Sequence, residues 1–349
     1  MGEILFDAPV PPDTLTRYIE KYVPRPAENQ LTGLVNVNYV ADDKVRWGTI
    51  TRKNRMAKYR AFDGNIARAV RDSAAEQWVP LAPFSNSQVT GEYETLQKEF
   101  ARMQGGNKSV LADAIYNDAD ALTVSMWNRV EKALGSTAAT GKFAVNENRT
   151  MYEADYAIPA GNKITVPIAW TNAATALAAD DLRNLRSAYL ASAGVAPGRI
   201  ITSELVISSL LRNAQIVAEA LGTTSGRTRI TRAELNAWLA SENLPSLVTE
   251  VEGVMYNDET GADERVLPQD LLIMTPANLG DALEFTFGLS ASALKLVNSN
   301  RTDLTFGDRT RITGMVIEDG PPFREFVYVD AVGIPVLTAP QRIVVADVL

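Results

Sequence analysis

One tract limits what this chain can fold into more than any other. Leu111, Ile115, Ala119, Leu122, Met126, Val130 and Leu134 recur at spacings of four and three, which places them on one face of a long helix. An apolar stripe of that length predicts packing along a sheet rather than a ligand groove. Gly135 follows directly and reads as the C-cap. A shorter helix is expected before it, over residues 92–103, ended or kinked by Gly105-Gly106.

The flanking pattern supplies the sheet. Strand-like runs at 142–145, 151–158 and 163–168 are separated by the turn Pro159-Ala160-Gly161-Asn162. A helix is expected over 180–193, closed by Gly194, then a short buried strand at Ile200-Ile201 and a helix from the Ser203 cap to about Leu221. After a loop at 222–226, Thr231-Arg232-Ala233-Glu234 has the capping-box spacing that opens the next helix. Residues 246–274 read as strand, loop, strand, with a polar hairpin tip at 257–264. The runs 323–329, 333–337 and 343–348 read as strands. No linker or internal repeat divides the chain, and helices inserted among non-alternating strands predict an α+β fold.

The start differs in kind. Pro9, Pro11, Pro12, Pro24 and Pro26 crowd the first 26 residues. A short helix fits 13–22 with Asp13 as N-cap, and the rest should be extended, so this segment reads as an arm lying on something else. Next comes a basic stretch: Lys44, Arg46, Arg52, Lys53, Arg55, Lys58, Arg60, Arg68 and Arg71, opposed only by Asp42, Asp43 and Asp63. Residues 45–50 alternate like a strand, so a long charged hairpin or loop is expected. Two readings stand level: a docking element for an acidic surface, or a solvated charged loop.

Composition narrows the function. The chain has no cysteine and no histidine, which removes disulfides, thiol nucleophiles, Ser-His-Asp triads and the zinc and haem sites built on those ligands. The net charge of −8 argues against broad nucleic-acid or anionic-membrane binding. The opening residues lack a secretory pattern and no apolar run has membrane-spanning length, so a cytoplasmic product is expected. No cofactor is called for.

The motifs that suggest catalysis fail on spacing. The run from Gly135 to Lys142 has five residues between its glycines, and Phe143 follows the lysine, where a phosphate loop needs four residues and then Ser or Thr. Ser292-Ala293-Leu294-Lys295 lacks the companion elements of serine acyl-enzymes and reads as a surface helical turn. Residues 257–264 lack the calcium-loop register. The pairs Asp118/Asp120 and Asp180/Asp181 read as solvated helix faces.

The order of these features resembles the lambda-type major capsid proteins of tailed phages, the E family, with its HK-97-type fold. The resemblance rests on Leu31-Thr32-Gly33-Leu34-Val35-Asn36, the basic loop, the long helix, Gly141-Lys142-Phe143, Glu153-Ala154-Asp155-Tyr156, Trp170 and Asp180-Asp181-Leu182. Arg199-Ile200-Ile201, Val254-Met255-Tyr256, Val266-Leu267-Pro268-Gln269-Asp270, Phe323-Arg324-Glu325-Phe326 and Ile334-Pro335-Val336-Leu337 complete it. It implies an N-terminal arm at 1–40 and an extended loop at 41–85. A peripheral domain with a spine helix takes 86–174 and 321–349, and an axial domain takes 175–320. It implies hexamers and pentamers of the chain in an icosahedral shell around double-stranded DNA, assembled in the host cytoplasm. Arg46, Arg52, Lys53, Arg55, Lys58 and Arg60 would then be inter-subunit contacts. A separate or removed scaffolding protein, a portal and, as an open matter, a decoration protein are the implied partners. Nothing places a covalent crosslinking pair.

Three other readings compete. An encapsulin-like compartment shell would share the fold and carry enzyme cargo. A carboxylate-based metal hydrolase would need acidic residues converging in a pocket. A tail-tube or connector protein would form rings or tubes.

Overall fold

The computed structural model describes residues 3–24, 29–50, 74–91, 93, 96, 97, 100, 109–147, 150–223, 226–258, 260–305, 310–321 and 324–349. Two sheets organise them. In the first, of six strands, β15 (Ile312–Asp319) and β16 (Arg324–Leu337) pair antiparallel, β1 (Glu3–Ile4) borders β15 and β5 (Ala82–Thr90) lies along β16. The same sheet continues from β16 through β14 (Leu283–Gly288) to β2 (Asn36–Tyr39), which runs parallel to β14. The second sheet has the order β10 (Leu247–Glu250), β9 (Arg199–Thr202), β13 (Leu271–Thr275), β17 (Val344–Asp347), β8 (Lys163–Thr165). Three two-stranded ribbons stand apart: β3 (Lys44–Ile50) with β4 (Ala74–Pro80), β6 (Lys142–Glu147) with β7 (Thr150–Asp155), and β11 (Val254–Asn257) with β12 (Ala262–Arg265).

The helices cover these sheets. Helix α1 (Pro12–Glu20) lies on β15, with Thr16 Oγ1 donating to the Gly314 carbonyl at 3.1 Å. It starts at Pro12 rather than after an Asp13 cap, because a proline ring already holds the φ of a first turn; Asp13 instead meets the helix dipole inside that turn. Helix α2 (Ser109–Thr140) runs over the six-stranded sheet. Ile115, Ala119, Leu122, Met126, Val130 and Leu134 are all buried there, and each large side chain among them contributes about 1.5–3 kcal/mol. Around the second sheet lie α3 (Ala178–Ala193), α4 (Glu204–Arg212), α5 (Ala214–Leu221) and α6 (Arg232–Ser241). A last helix, α7 (Ala291–Val297), follows β14.

Local differences from the expected elements have physical causes. Helix α2 does not stop at Gly135. It continues to Thr140, because Gly135 is a packing glycine: a Cβ there would meet the Val266 carbonyl oxygen at 2.3 Å. The turn out of the helix falls at Gly141, whose φ of +74° suits glycine. The single helix expected after Ser203 is two, broken at Asn213. That residue adopts an extended backbone, and its side chain accepts from Ile216 N at 3.2 Å to cap α5. The two strands expected near the end are one, β16, which runs through Pro335; β5 stops pairing at Gly333, leaving one flank free where a residue without N–H can sit. The capping box at Thr231 and Glu234 is present as expected. Of the helix expected over 92–103, only residues 93, 96, 97 and 100 are described, and those four are helical.

The chain crosses between the sheets repeatedly. Strands β14 and β15 from the 175–320 block join the six-stranded sheet, while β8 and the C-terminal β17 join the five-stranded one. The arm is likewise built in: β1 and β2 border that first sheet at its two ends.

Candidate interaction surface

The β3–β4 hairpin leaves the body at its root. Val45 and Val79 are buried there, and Leu81 N donates to Asp43 O at 3.0 Å. Seven residue pairs in register, Lys44 with Pro80 through Ile50 with Ala74, extend the ribbon from there. Arg46 sits opposite Trp78, whose side chain is exposed. Arg52, Lys53, Arg55, Lys58 and Arg60 belong to 51–73 and lie outside the described residues. Of the six residues expected to contact a neighbour, Arg46 alone is on the described ribbon.

A buried carboxylate that the sequence did not mark fastens the arm to α2 at Leu31 and Thr32. Glu131, 1% exposed, accepts from Leu31 N at 2.6 Å and from Thr32 N and Thr32 Oγ1 at 2.7 and 2.6 Å. Burial raises its pKa above the ordinary glutamate value, against the lowering effect of those hydrogen bonds. The bonds fix Leu31-Thr32-Gly33, and Leu31 is fully buried beside them. A lone glutamate in a helix ordinarily reads as solvated, so no pattern could have singled it out.

The polar hairpin tip is the β11–β12 ribbon, as expected. Val266 N donates to Gly253 O at 2.8 Å to close its base. Lys132 on α2 reaches the Arg265 carbonyl at 2.6 Å and Glu264 at 3.3 Å. Asn257 Nδ2 donates to Glu264 at 2.7 Å, and these contacts hold the Glu264 carboxyl below the usual range.

The motifs rejected on spacing are structural. Residues 135–140 are the last turn of α2 and Lys142 opens β6, so a helix precedes the glycine-flanked run and a strand follows. Lys142 pairs with Asp155 at 2.8 Å. Ser292 is not a plain surface turn: with Ser290 and Tyr328 it hydrogen-bonds Asp330, a buried carboxyl on β16 whose pKa burial raises. The sequence reading left Asp330 in the gap between the runs 323–329 and 333–337, and the structure places it inside β16. Asp120 accepts from Tyr18 OH at 3.0 Å, and Asp181 from Trp170 Nε1 at 2.9 Å, so both serve packing. Arg183, paired with Asp180 on its own helix at 2.9 Å, ties α3 to α5 through Glu219 at 2.6 Å and to the end of α6 through Glu242 at 3.0 Å. Among the described residues no group of three or more Asp or Glu could hold a metal ion, and no helix is long and apolar enough to cross a membrane.

A spine helix on a sheet that incorporates the arm, with the β3–β4 ribbon rooted beside it, defines a shell subunit of the HK-97 type. Solved structures of that fold match throughout. A protein described as a prophage capsid protein of E. coli CFT073 superposes with a TM-score of 0.59 at 14% identity, covering 100% of both chains. A phage-related protein of Bordetella bronchiseptica RB50 gives 0.53 at 12%, and the capsid of Myoviridae phage XM1 gives 0.51 at 13%, each covering 95% of both chains. At these identities the likeness speaks for the fold. No curated protein matches the chain in sequence. The profile of phage major capsid protein E matches residues 12–300, and the chain belongs to that family. It is a structural protein of the virion, whose copies form the phage capsid, and the family match favours this over an encapsulin-like compartment.

Proposed function

We propose that the chain builds a closed icosahedral shell of hexamers and pentamers around double-stranded DNA, performs no catalytic step, and contacts its neighbours through the β3–β4 hairpin. The carrying observation is the hairpin itself. Among its described side chains Val45 and Val79 at the root are in a core while Trp78 is exposed, and a two-stranded ribbon alone is marginal in water. Its basic residues, Arg46, Arg52, Lys53, Arg55, Lys58 and Arg60, serve as ion-pair donors to a neighbouring subunit. The solvated-loop reading gives a ribbon of this length no support.

The parts take the following roles in this reading. Residues 1–40 are the arm and 41–85 the extended loop. The peripheral part comprises α2 and the six-stranded sheet, thus most of 86–174 and 321–337 together with β14 and β15. The axial part comprises the five-stranded sheet with α3 to α6, so β17 and β8 go with it. A scaffolding protein and a portal complete the assembly, and a decoration protein is a third candidate partner.

Negative-stain electron microscopy of the protein, co-expressed with its genomic neighbours, tests the proposal. Closed shells, or capsomers that convert to shells, support it. A monomer or dimer under every condition sinks it. Replacing Arg52, Lys53, Arg55, Lys58 and Arg60 together with serine should leave a folded subunit that forms few or no shells. Normal shells from that variant would remove the hairpin's role.

A further inference from the structure

We infer that the outward face of the β11–β12 ribbon is where the basic hairpin of a second copy of this chain docks. The inference rests on the shell reading above and names the receiving surface.

The ribbon is rigidly held. Met255 packs inward on the main core, and Val266 at its base lies against Gly135 of α2. Lys132 grips Arg265 and Glu264, and Arg265 pairs with Glu252. Its other face has no cover: Val254 and Tyr256, two apart on one strand and therefore on one side, are 50% and 64% exposed. Asp263 is paired in register with Tyr256. An anchored ribbon that presents tyrosine and valine to water is shaped for a partner, since anchoring removes the ordering cost that a loose loop would bring to binding.

Charge identifies the partner. Residues 257–264 include Asp258, Glu259, Asp263 and Glu264 and no Lys or Arg. Lys132 takes Glu264, while Asp258 and Asp263 are exposed and form no ion pair among the described residues. Residues 44–71 carry nine Lys and Arg against one acidic residue, leaving 25 of the 34 basic residues to face 41 of the 42 acidic ones in the rest of the chain. No other part of the sequence has that excess of positive charge. The Tyr256 ring adds a face on which an arginine can rest, and the acidic tip would repel DNA. The groove beside β2 fits less well, because Glu20, Asp42 and Glu284 there alternate with Lys44 and Arg311.

The absence of cysteine makes a clean test possible. Asp258→Cys would be combined in one chain with Arg52→Cys, Arg55→Cys or Arg60→Cys, and assembled shells treated with a short bismaleimide. At least one pair should give a ladder of linked chains on a denaturing gel that neither single variant gives. Linkage confined to single chains, or none with any pair, overturns the inference. Asp258→Lys with Asp263→Lys should lower shell yield at least about tenfold, as like charges brought together do. Adding Arg52→Glu and Arg55→Glu to that chain should restore it, and failure to restore counts against this docking. If the lysine variant does not fold, the cross-linking result decides. Loss of shells in the five-serine variant with normal shells from the aspartate variant removes this surface alone. Normal shells from both remove the hairpin reading too.

Discussion

Replacing Glu131 with alanine should free the arm. The substitution removes the acceptor for two buried backbone N–H groups, of Leu31 and Thr32, and for the Thr32 hydroxyl. A buried donor left without a partner costs about 1–3 kcal/mol. Two of them give roughly 2–6 kcal/mol before relief of the carboxylate's own burial, whose cost is evident in its raised pKa; a net loss of about 3 kcal/mol is expected. With an unfolding entropy near 2.1 cal/mol/K per residue, that lowers the melting temperature by about 4 °C. The loss is local, so proteolysis reports it more sharply. Lys21 is a trypsin site just ahead of the fastened segment, whereas Pro26 blocks cleavage after Arg25, and about 3 kcal/mol off the opening free energy raises cleavage at Lys21 by about two orders of magnitude. Glu131→Gln keeps one oxygen but turns an NH2 toward a backbone N–H, and should fall between alanine and wild type. If Glu131→Ala melts and is cut as wild type, the arm is held by its packing and its other hydrogen bonds, and the carboxylate is incidental.

Other perturbations follow from single contacts. Gly135→Ala gains up to about 1 kcal/mol of helix propensity, yet its methyl meets the Val266 carbonyl, so the melt should show a net loss of about 1–2 kcal/mol; a stabilised variant would show that α2 can shift. Asn213→Ala removes the α5 cap and the donor to the Ala176 carbonyl at 2.8 Å, and chemical denaturation should show a loss of about 2–3 kcal/mol. Burial raises the Asp330 pKa, so between its ordinary and its raised value the folded chain keeps a proton that the unfolded chain releases. Wild-type stability therefore falls as pH rises through that window and is level above it. Asp330→Asn lacks the slope, and its stability relative to wild type should climb as pH rises above about 4 and then level off; a pH-independent difference would contradict the assignment.

The long helix was legible because the residues of its stripe from Ile115 to Leu134 face one core, so period and burial agree there. Its end was not. A glycine after an apolar tract reads the same whether it turns the chain or admits a neighbouring carbonyl, and Gly135 does the second. The capping box at Thr231 was plain because all its bonds lie within four residues. Glu131 and the arm are about 100 positions apart, and local spacing carries no trace of such a pair. The hairpin was visible as alternation and charge, but which surface receives it depends on exposure, which only folding creates.

The weave of the chain between its two sheets has a consequence for manufacture. Strand β1 must wait for β15, β5 for β16, and β8 for β17. The first sheet cannot close until β16 has left the ribosome, nor the second until β17 has, at about 5–20 residues per second. Contacts this distant slow folding, but they also act as a proofreading gate. A chain cut short by a stalled ribosome lacks the partners of its first strands and presents no finished surface, so it cannot enter a lattice where one defective tile would weaken the container.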